Sequence, residues 1–419
     1  MQPAHNTQAN NPPEKATGLV FFLFCIWTFV LLSRPQDLFP VLGQFRPAML
    51  MGILTLGFVV LNLQALPGPP LFRERQIKYY TVFVLIIILG IPFAHHRGLA
   101  FDVVIPTYLF VLIYLFVFYK LVSSVRRLYT VLLIGCLGSG LYSFFSLINY
   151  QAGRLSFGGM FDPNDIAFFT LGFLPLNLIF ISRDNPFWVR LACLGSFGMG
   201  VLLVLLTGSR GGIVAFAVAA SLLLLLKTQT IKPAMKIAFV TMCLVFVSVS
   251  PIDTERYKTL LSLEDDYNVQ LADEGGGRLG IWNFGVRSML DNPLTGVGVG
   301  GSARARFLDQ QELGRRDLAY RPMHNSVVQI GAETGIIGLA LFLLLSCNVL
   351  RIFNRARKKA SNVLLVKTGE MGIIGFIGMF IAGFFLTHGY SLYFVFYFVV
   401  SAVVSQLLLK EQTPAPRQT

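Results

Sequence analysis

Residues 321–350 read RPMHNSVVQIGAETGIIGLALFLLLSCNVL, a polar entry that passes without a break into an apolar run. About 20 apolar residues in a helix cross the hydrocarbon core of a bilayer. From Asn325 to Leu350 the run is long enough, and it admits one carboxylate, Glu333. It therefore reads as a membrane helix with a histidine, His324, at its mouth.

Working outward, eleven more runs of this kind appear, giving twelve at roughly 18–33, 47–66, 77–94, 102–120, 128–149, 165–182, 187–206, 211–226, 234–250, 325–350, 369–387 and 389–409. The composition agrees. Only 13% of the 419 residues are charged, and 38 are phenylalanine; a soluble domain carries about 25% charged residues. The expected fold is an all-α polytopic membrane protein of about twelve transmembrane helices, with ten to twelve the range the spacing allows. The net charge of +13 does not indicate nucleic acid, because the basic residues are dispersed between apolar runs. Cys25, Cys136, Cys193, Cys243 and Cys347 all fall inside apolar runs at no metal-ligand spacing, and read as small core residues. The polar N-terminus lacks the basic region of a cleavable signal, so the first run is expected to be a retained anchor.

The distribution of Lys and Arg sets the orientation. With the N-terminus inside, the inner segments hold twenty and the short outer loops hold five, namely Arg34, Arg46, Arg97, Arg154 and Arg210. Both termini are then cytoplasmic and the long loop is outside. The expected organisation is a cytoplasmic tail at 1–17, nine membrane helices over 18–250, a loop domain at 251–324, three more helices over 325–409, and a second cytoplasmic tail at 410–419. The loop begins with an acidic stretch, Glu264, Asp265, Asp266, Asp273 and Glu274, and a flexible Gly275-Gly276-Gly277. Ile281, Trp282, Val286, Met289 and Leu290 then recur at helical spacing, predicting an amphipathic helix over 278–290 that Asp291-Asn292-Pro293 ends. A glycine-rich stretch, 296–301, precedes a second charged helix over 303–313.

Four constellations could carry chemistry. His324-Asn325 lies where the loop meets the tenth run, and histidine is the side chain suited to exchange a proton near neutral pH; the alternative is a helix-cap region with Asn325 or Ser326 as the cap. Thr207-Gly208-Ser209-Arg210-Gly211-Gly212 is a tight outer turn whose guanidinium could grip a phosphate, or could be a snorkelling anchor. Arg278 and Arg287 share one putative helix, and Arg304, Arg306, Arg315, Arg316 and Arg321 follow. This set suits an anionic partner, or a solvated face paired with the loop's own acids. Phe161-Asp162-Pro163-Asn164-Asp165 offers two carboxylates for a sugar or, less plausibly, a cation, though a turn and helix N-cap suits it better. Gly296-Val297-Gly298-Val299-Gly300-Gly301 follows a helix and lacks a P-loop lysine, and no ATP-binding or metal motif is present.

His324-Asn325, nine residues, Gly335, two residues, Gly338 resembles the signature of the bacterial O-antigen ligases. The layout is similar to that family as well: about twelve helices, cytoplasmic termini and one large periplasmic loop late in the chain, a GT-C-like architecture. Arg210 and Arg278 match the family's two functional arginines in placement, although Val214 stands where the family's motif often has leucine. O-antigen polymerases and protein O-oligosaccharyltransferases share parts of the motif. The resemblance implies a glycosyltransferase of the bacterial inner membrane that moves a glycan from undecaprenyl diphosphate, or a similar polyprenyl diphosphate, to a lipid A–core sugar. It implies a periplasmic site and a reaction without ATP, cofactor or metal; direct attack of the acceptor would invert the anomeric centre. His324 would be the base, Arg210 and Arg278 the diphosphate clamps, and Asn325 and Arg321 positioning residues, with Arg287, Asp162 and Asn164 as further candidates. A twelve-helix transporter is the rival from another class. It should carry ionisable groups at the membrane midplane and a two-half repeat, whereas here the notable charges cluster at one face.

Overall fold

The computed structural model describes residues 17–151, 153–157, 162–249, 277–314 and 320–412. The two tails, the acidic half of the long loop, Phe161, Arg315, Arg316 and the side chain of Cys243 lie outside the described residues. The described residues fold into helices and their connections.

Among the described residues there are fourteen helices of more than two turns. They are α1 (Gly18–Ser33), α2 (Pro47–Leu61), α3 (Arg75–Gly90), α4 (Arg97–Leu121), α5 (Val125–Ile148), α6 (Pro163–Phe180), α7 (Phe187–Leu206), α8 (Arg210–Leu225), α9 (Pro233–Val249), α10 (Arg278–Asp291), α11 (Ser302–Glu312), α12 (Ser326–Lys359), α13 (Val363–Gly383) and α14 (Leu392–Gln412). Each of the twelve apolar runs read from the sequence falls on one of them. Eight are long and apolar enough to cross a membrane: α3 with its last turn, α4 to α7, and α12 to α14. The other apolar helices are shorter, with 16, 15, 16 and 17 residues in α1, α2, α8 and α9. At about 1.5 Å per residue these reach roughly 22–26 Å. The chain is thus a multi-pass helical membrane protein.

The centre of the bundle is aromatic. Phe168, Phe169 and Phe173 of α6 meet Phe394, Phe396 and Tyr393 of α14, and Phe376 of α13 packs on Tyr397. Lipid provides no hydrophobic drive for helices to associate, so close packing and small residues at crossings hold such bundles together. Gly375 illustrates this: a Cβ there would lie 2.2 Å from the Tyr397 hydroxyl, which donates to the Gly172 carbonyl. Cys25, Cys136 and Cys193 are buried in this packing as expected, whereas Cys347 is exposed on the outer face of α12. α4 is continuous only because a π-turn at Val104–Tyr108 absorbs Pro106, whose ring leaves one backbone bond unmade.

Two irregularities position the site. α12 breaks at Gly335, where φ is 71° and ψ is −169°. That backbone is essentially restricted to glycine. There Ile336 N–H donates to the Pro293 carbonyl at 2.8 Å, so the glycine-rich stretch after α10 rests in the break. Val297 N–H similarly donates to the Ala332 carbonyl at 2.8 Å. Glu333, the carboxylate inside the apolar run, completes the dock by accepting from Ser302 Oγ at 2.6 Å.

Candidate active site

His324 stands one residue before the N-cap of α12. Its φ is +48°, a left-handed conformation that costs a non-glycine residue about 1 kcal/mol. Two contacts hold it there. Met323 is fully buried with Ile281 and Phe284 of α10, Val297 and Ala305 in a small apolar core of the loop. The His324 N–H donates to Thr387 Oγ1 at 2.8 Å. Asn325 then starts α12, its Oδ1 accepting from Val327 N–H at 3.0 Å and Val328 N–H at 3.1 Å. The imidazole is left half-buried at the end of the bundle.

The connector between α13 and α14 seals this corner. Ser326 Oγ donates to the Leu386 carbonyl and accepts from His388 N–H, both at 3.0 Å. Gly389 N–H donates to Gln329 Oε1 at 3.0 Å. The His388 ring stacks on Phe168 and its Nε2 lies 2.9 Å from Asp165 Oδ1. Asp165 belongs to a capping box: Asp162 accepts from Asp165 N–H at 2.9 Å, and Asp165 Oδ2 accepts from Asp162 N–H at 3.1 Å. Asn164 Oδ1 accepts from Ser209 Oγ at 2.7 Å, and Ser209 caps α8, whose first residue is Arg210. Phe385 packs against Gly211, where a Cβ would meet its ring at 2.4 Å.

The ends of α6, α8 and α12 and the α13–α14 connector are therefore one hydrogen-bonded platform. It carries Asp162, Asn164, Arg210, His324 and Asn325. Arg278, the first residue of α10, and Arg321 complete the set by charge. The imidazolium form of His324 is disfavoured, first by burial, then by the Arg278 guanidinium and further by Arg321, while Asp162 and Asp165 partly oppose them. Its pKa is thus held below that of an ordinary histidine, which favours the neutral ring that can accept a proton.

The predicted residues divide. His324, Arg278 and Arg321 converge electrostatically. Asn325 and Asp162 serve as helix caps, the alternative reading for each, and hold the platform's geometry. Arg287 turns to Asp309 of α11 at 2.9 Å, which is the bland reading of the loop arginines. Sequence reading passed over Thr387 and His388 because they fall where the eleventh run meets the twelfth. The available signal was a histidine and a glycine crowded between two closely spaced runs at the predicted outer face. Among the described residues, no three His, Cys, Asp or Glu side chains come together as a metal would require.

Residues 195–343 match the family model described as O-antigen ligase. This stretch is just over a third of the chain and contains Arg210, Arg278, His324, Gly335 and Gly338. Two rickettsial proteins are similar over shorter segments, each named "Putative polysaccharide ligase". The Rickettsia typhi protein is 27% identical over 137 residues, 32% of each chain. The Rickettsia conorii protein is 31% identical over 86 residues, 20% of this chain and 21% of the relative. The similarity thus spans about a third and a fifth of those relatives' lengths. The resemblance first carried by the His324 motif extends from the second half of α7 to the middle of α12.

Proposed function

We propose that this protein is an inverting glycosyltransferase of the O-antigen ligase type, acting on the periplasmic face of a bacterial inner membrane with both termini cytoplasmic. It moves a glycan from a polyprenyl diphosphate to a sugar hydroxyl of lipid A–core. Both substrates are lipid-anchored, which suits a site at a bundle end. The donor brings its own leaving group, so no ATP is consumed.

The observation that carries this reading is the half-buried, neutral imidazole of His324 held beside the Arg278 and Arg321 guanidiniums. The acceptor hydroxyl oxygen attacks the anomeric carbon while the bond from that carbon to the phosphate oxygen breaks. The hydroxyl proton passes to His324 and the electron pair leaves on the diphosphate. Arg278 and Arg210 hold the charge developing there, where preorganised donors act most strongly. Arg321 adds to the effect of burial and Arg278 in disfavouring the imidazolium form of His324, and orients the phosphate. Asn325, Asp162 and Asn164 fix the helix ends that present these groups.

Transfer by purified variants in liposomes tests the assignment. His324→Ala should lower it by about 10²–10⁴-fold, the contribution of a general base, and Arg210→Ala should lower it severely too. Near wild-type transfer by both folded variants sinks the assignment. In a deletion strain, lost lipopolysaccharide ladders with the lipid-linked polymer retained identify a ligase. Single repeats only would identify a polymerase.

A further inference from the structure

The end of the bundle opposite His324 holds a cavity that glycan transfer does not use. Arg351, Asn354 and Arg357 recur every three residues along α12, so their side chains share one face. With Leu350 they line a cavity of about 350 Å³. Its other walls are apolar, Leu222 and Leu226 from the end of α8 and Ile373 and Ile377 of α13. Its lining is thus greasy on two sides and cationic on the third.

Other basic residues near helix ends are engaged differently. Lys120 donates to the Gly68 and Pro69 carbonyls, Lys236 to Leu224 and Leu226, and Lys410 to Ser123. Arg355 points away, to Gln412 Oε1 at 3.1 Å. These cations close off helix ends. Arg351 and Arg357 donate to no described residue, although neither is deeply buried, and the helix turns both toward the same cavity.

We propose that this cavity binds one anionic phospholipid from the leaflet at this end, its phosphate between Arg351 and Arg357 and an acyl chain along Leu222, Leu226 and Ile377. Basic pockets between membrane helices take such headgroups because charge and apolar burial act together. Asn354 supplies a neutral donor to a second headgroup oxygen. A zwitterionic lipid would bring its own cation against the two guanidiniums and bind less well. The site does not depend on the reaction assigned to the His324 end.

Native mass spectrometry of the full-length protein, incubated with equimolar phosphatidylglycerol and phosphatidylcholine, tests this. One phosphatidylglycerol should be retained with a preference of about ten- to thirtyfold, since each arginine at a membrane surface contributes roughly fivefold. Arg351→Ala/Arg357→Ala should reduce the preference to near parity, and Arg355→Ala should leave it intact. Leu226→Trp, which fills the cavity and keeps both charges, should also release the lipid. Equal retention of the two lipids by the wild type, full retention by either cavity variant, or displacement by inorganic phosphate alone overturns the proposal.

Discussion

The two ends of the bundle use the same residue types to opposite effect. At the Lys359 end, charged side chains are consumed in closing the fold. Glu370 accepts from Gln229 N–H, Thr230 N–H and Thr230 Oγ at 2.8, 3.0 and 2.6 Å. Glu411 caps the start of α13 through Ser361 and Asn362, and lysines donate to helix-end carbonyls. At the His324 end, neutral side chains (Ser209, Asn164, Ser326, Gln329 and Thr387) share the closing with the Asp162–Asp165 capping box and the Asp165–His388 pair. Here Arg278 and Arg321 lie close enough to His324 to disfavour its imidazolium form, and His324 sits in a left-handed backbone. An end that holds a histidine in a strained backbone is less stable than it could be, which is the pattern of a site arranged for a ligand. At the opposite end Glu370, Glu411, Lys120, Lys236 and Lys410 are each bonded to helix-end or loop groups, whereas the two arginines facing the cavity donate to no described residue.

The comparison can be broken hardest at Gly335. The His324 end depends on the loop resting in the break of α12. Gly335→Ala forces a side chain into a glycine-only backbone and places Cβ 2.3 Å from the Pro293 carbonyl oxygen. Thermal unfolding in detergent should show a loss of roughly 3 kcal/mol. Proteolysis should then cut the loop while sparing the Lys359 end. Unchanged stability would mean that the loop is not seated as described.

These particulars also show what was legible in the sequence. The twelve runs could be read because apolar stretches stand out along the chain, and eight of the helices on which they fall are long enough to cross a membrane; α10 was legible from its local amphipathic spacing and α11 as a charged stretch. His324, Arg210 and Arg278 stood out as charges at predicted outer turns. What the sequence hid was pairing between distant segments. Asp165 and His388 are 223 residues apart, and nothing in either segment announces the other. The partners of Glu333 were hidden for the same reason, although its need for them was plain from a carboxylate in an apolar run. The glycines of the motif were visible as spacing alone. Their physical reason, a helix break that receives the Pro293 carbonyl, is a property of the packed loop.

A sharper probe of the charged end is Arg278→Ala. Transfer should fall by about 10²–10³-fold, the loss typical of one donor to a developing anion. The pH profile should change as well. Burial, Arg278 and Arg321 lower the His324 pKa; on the proposed mechanism its neutral form is the base, so the acid limb of kcat/KM should lie lower than that of an unperturbed histidine. Removing Arg278 removes one of the lowering charges, and the acid limb should move to higher pH. Asp162→Asn removes an opposing carboxylate and should move it lower. Limbs that stay fixed in both variants would remove His324 as the titrating base.

The smallest effect on transfer should come from the opposite end. Glu370→Gln keeps the size of the side chain but exchanges one acceptor oxygen for an amide donor. Three donors now converge on Glu370, from Gln229 and Thr230. At least one then faces another N–H inside a buried corner, which costs about 1–3 kcal/mol. The loss should appear as a lower unfolding temperature, with transfer per folded molecule near the wild-type value. The contrast with Arg278→Ala is the point: at one end a charge removed lowers rate and shifts the pH profile, at the other it lowers stability alone. If Glu370→Gln slowed transfer as much as Arg278→Ala without unfolding, the two ends would be coupled, and α13, which joins Glu370 to the Thr387 connector, would be the path between them.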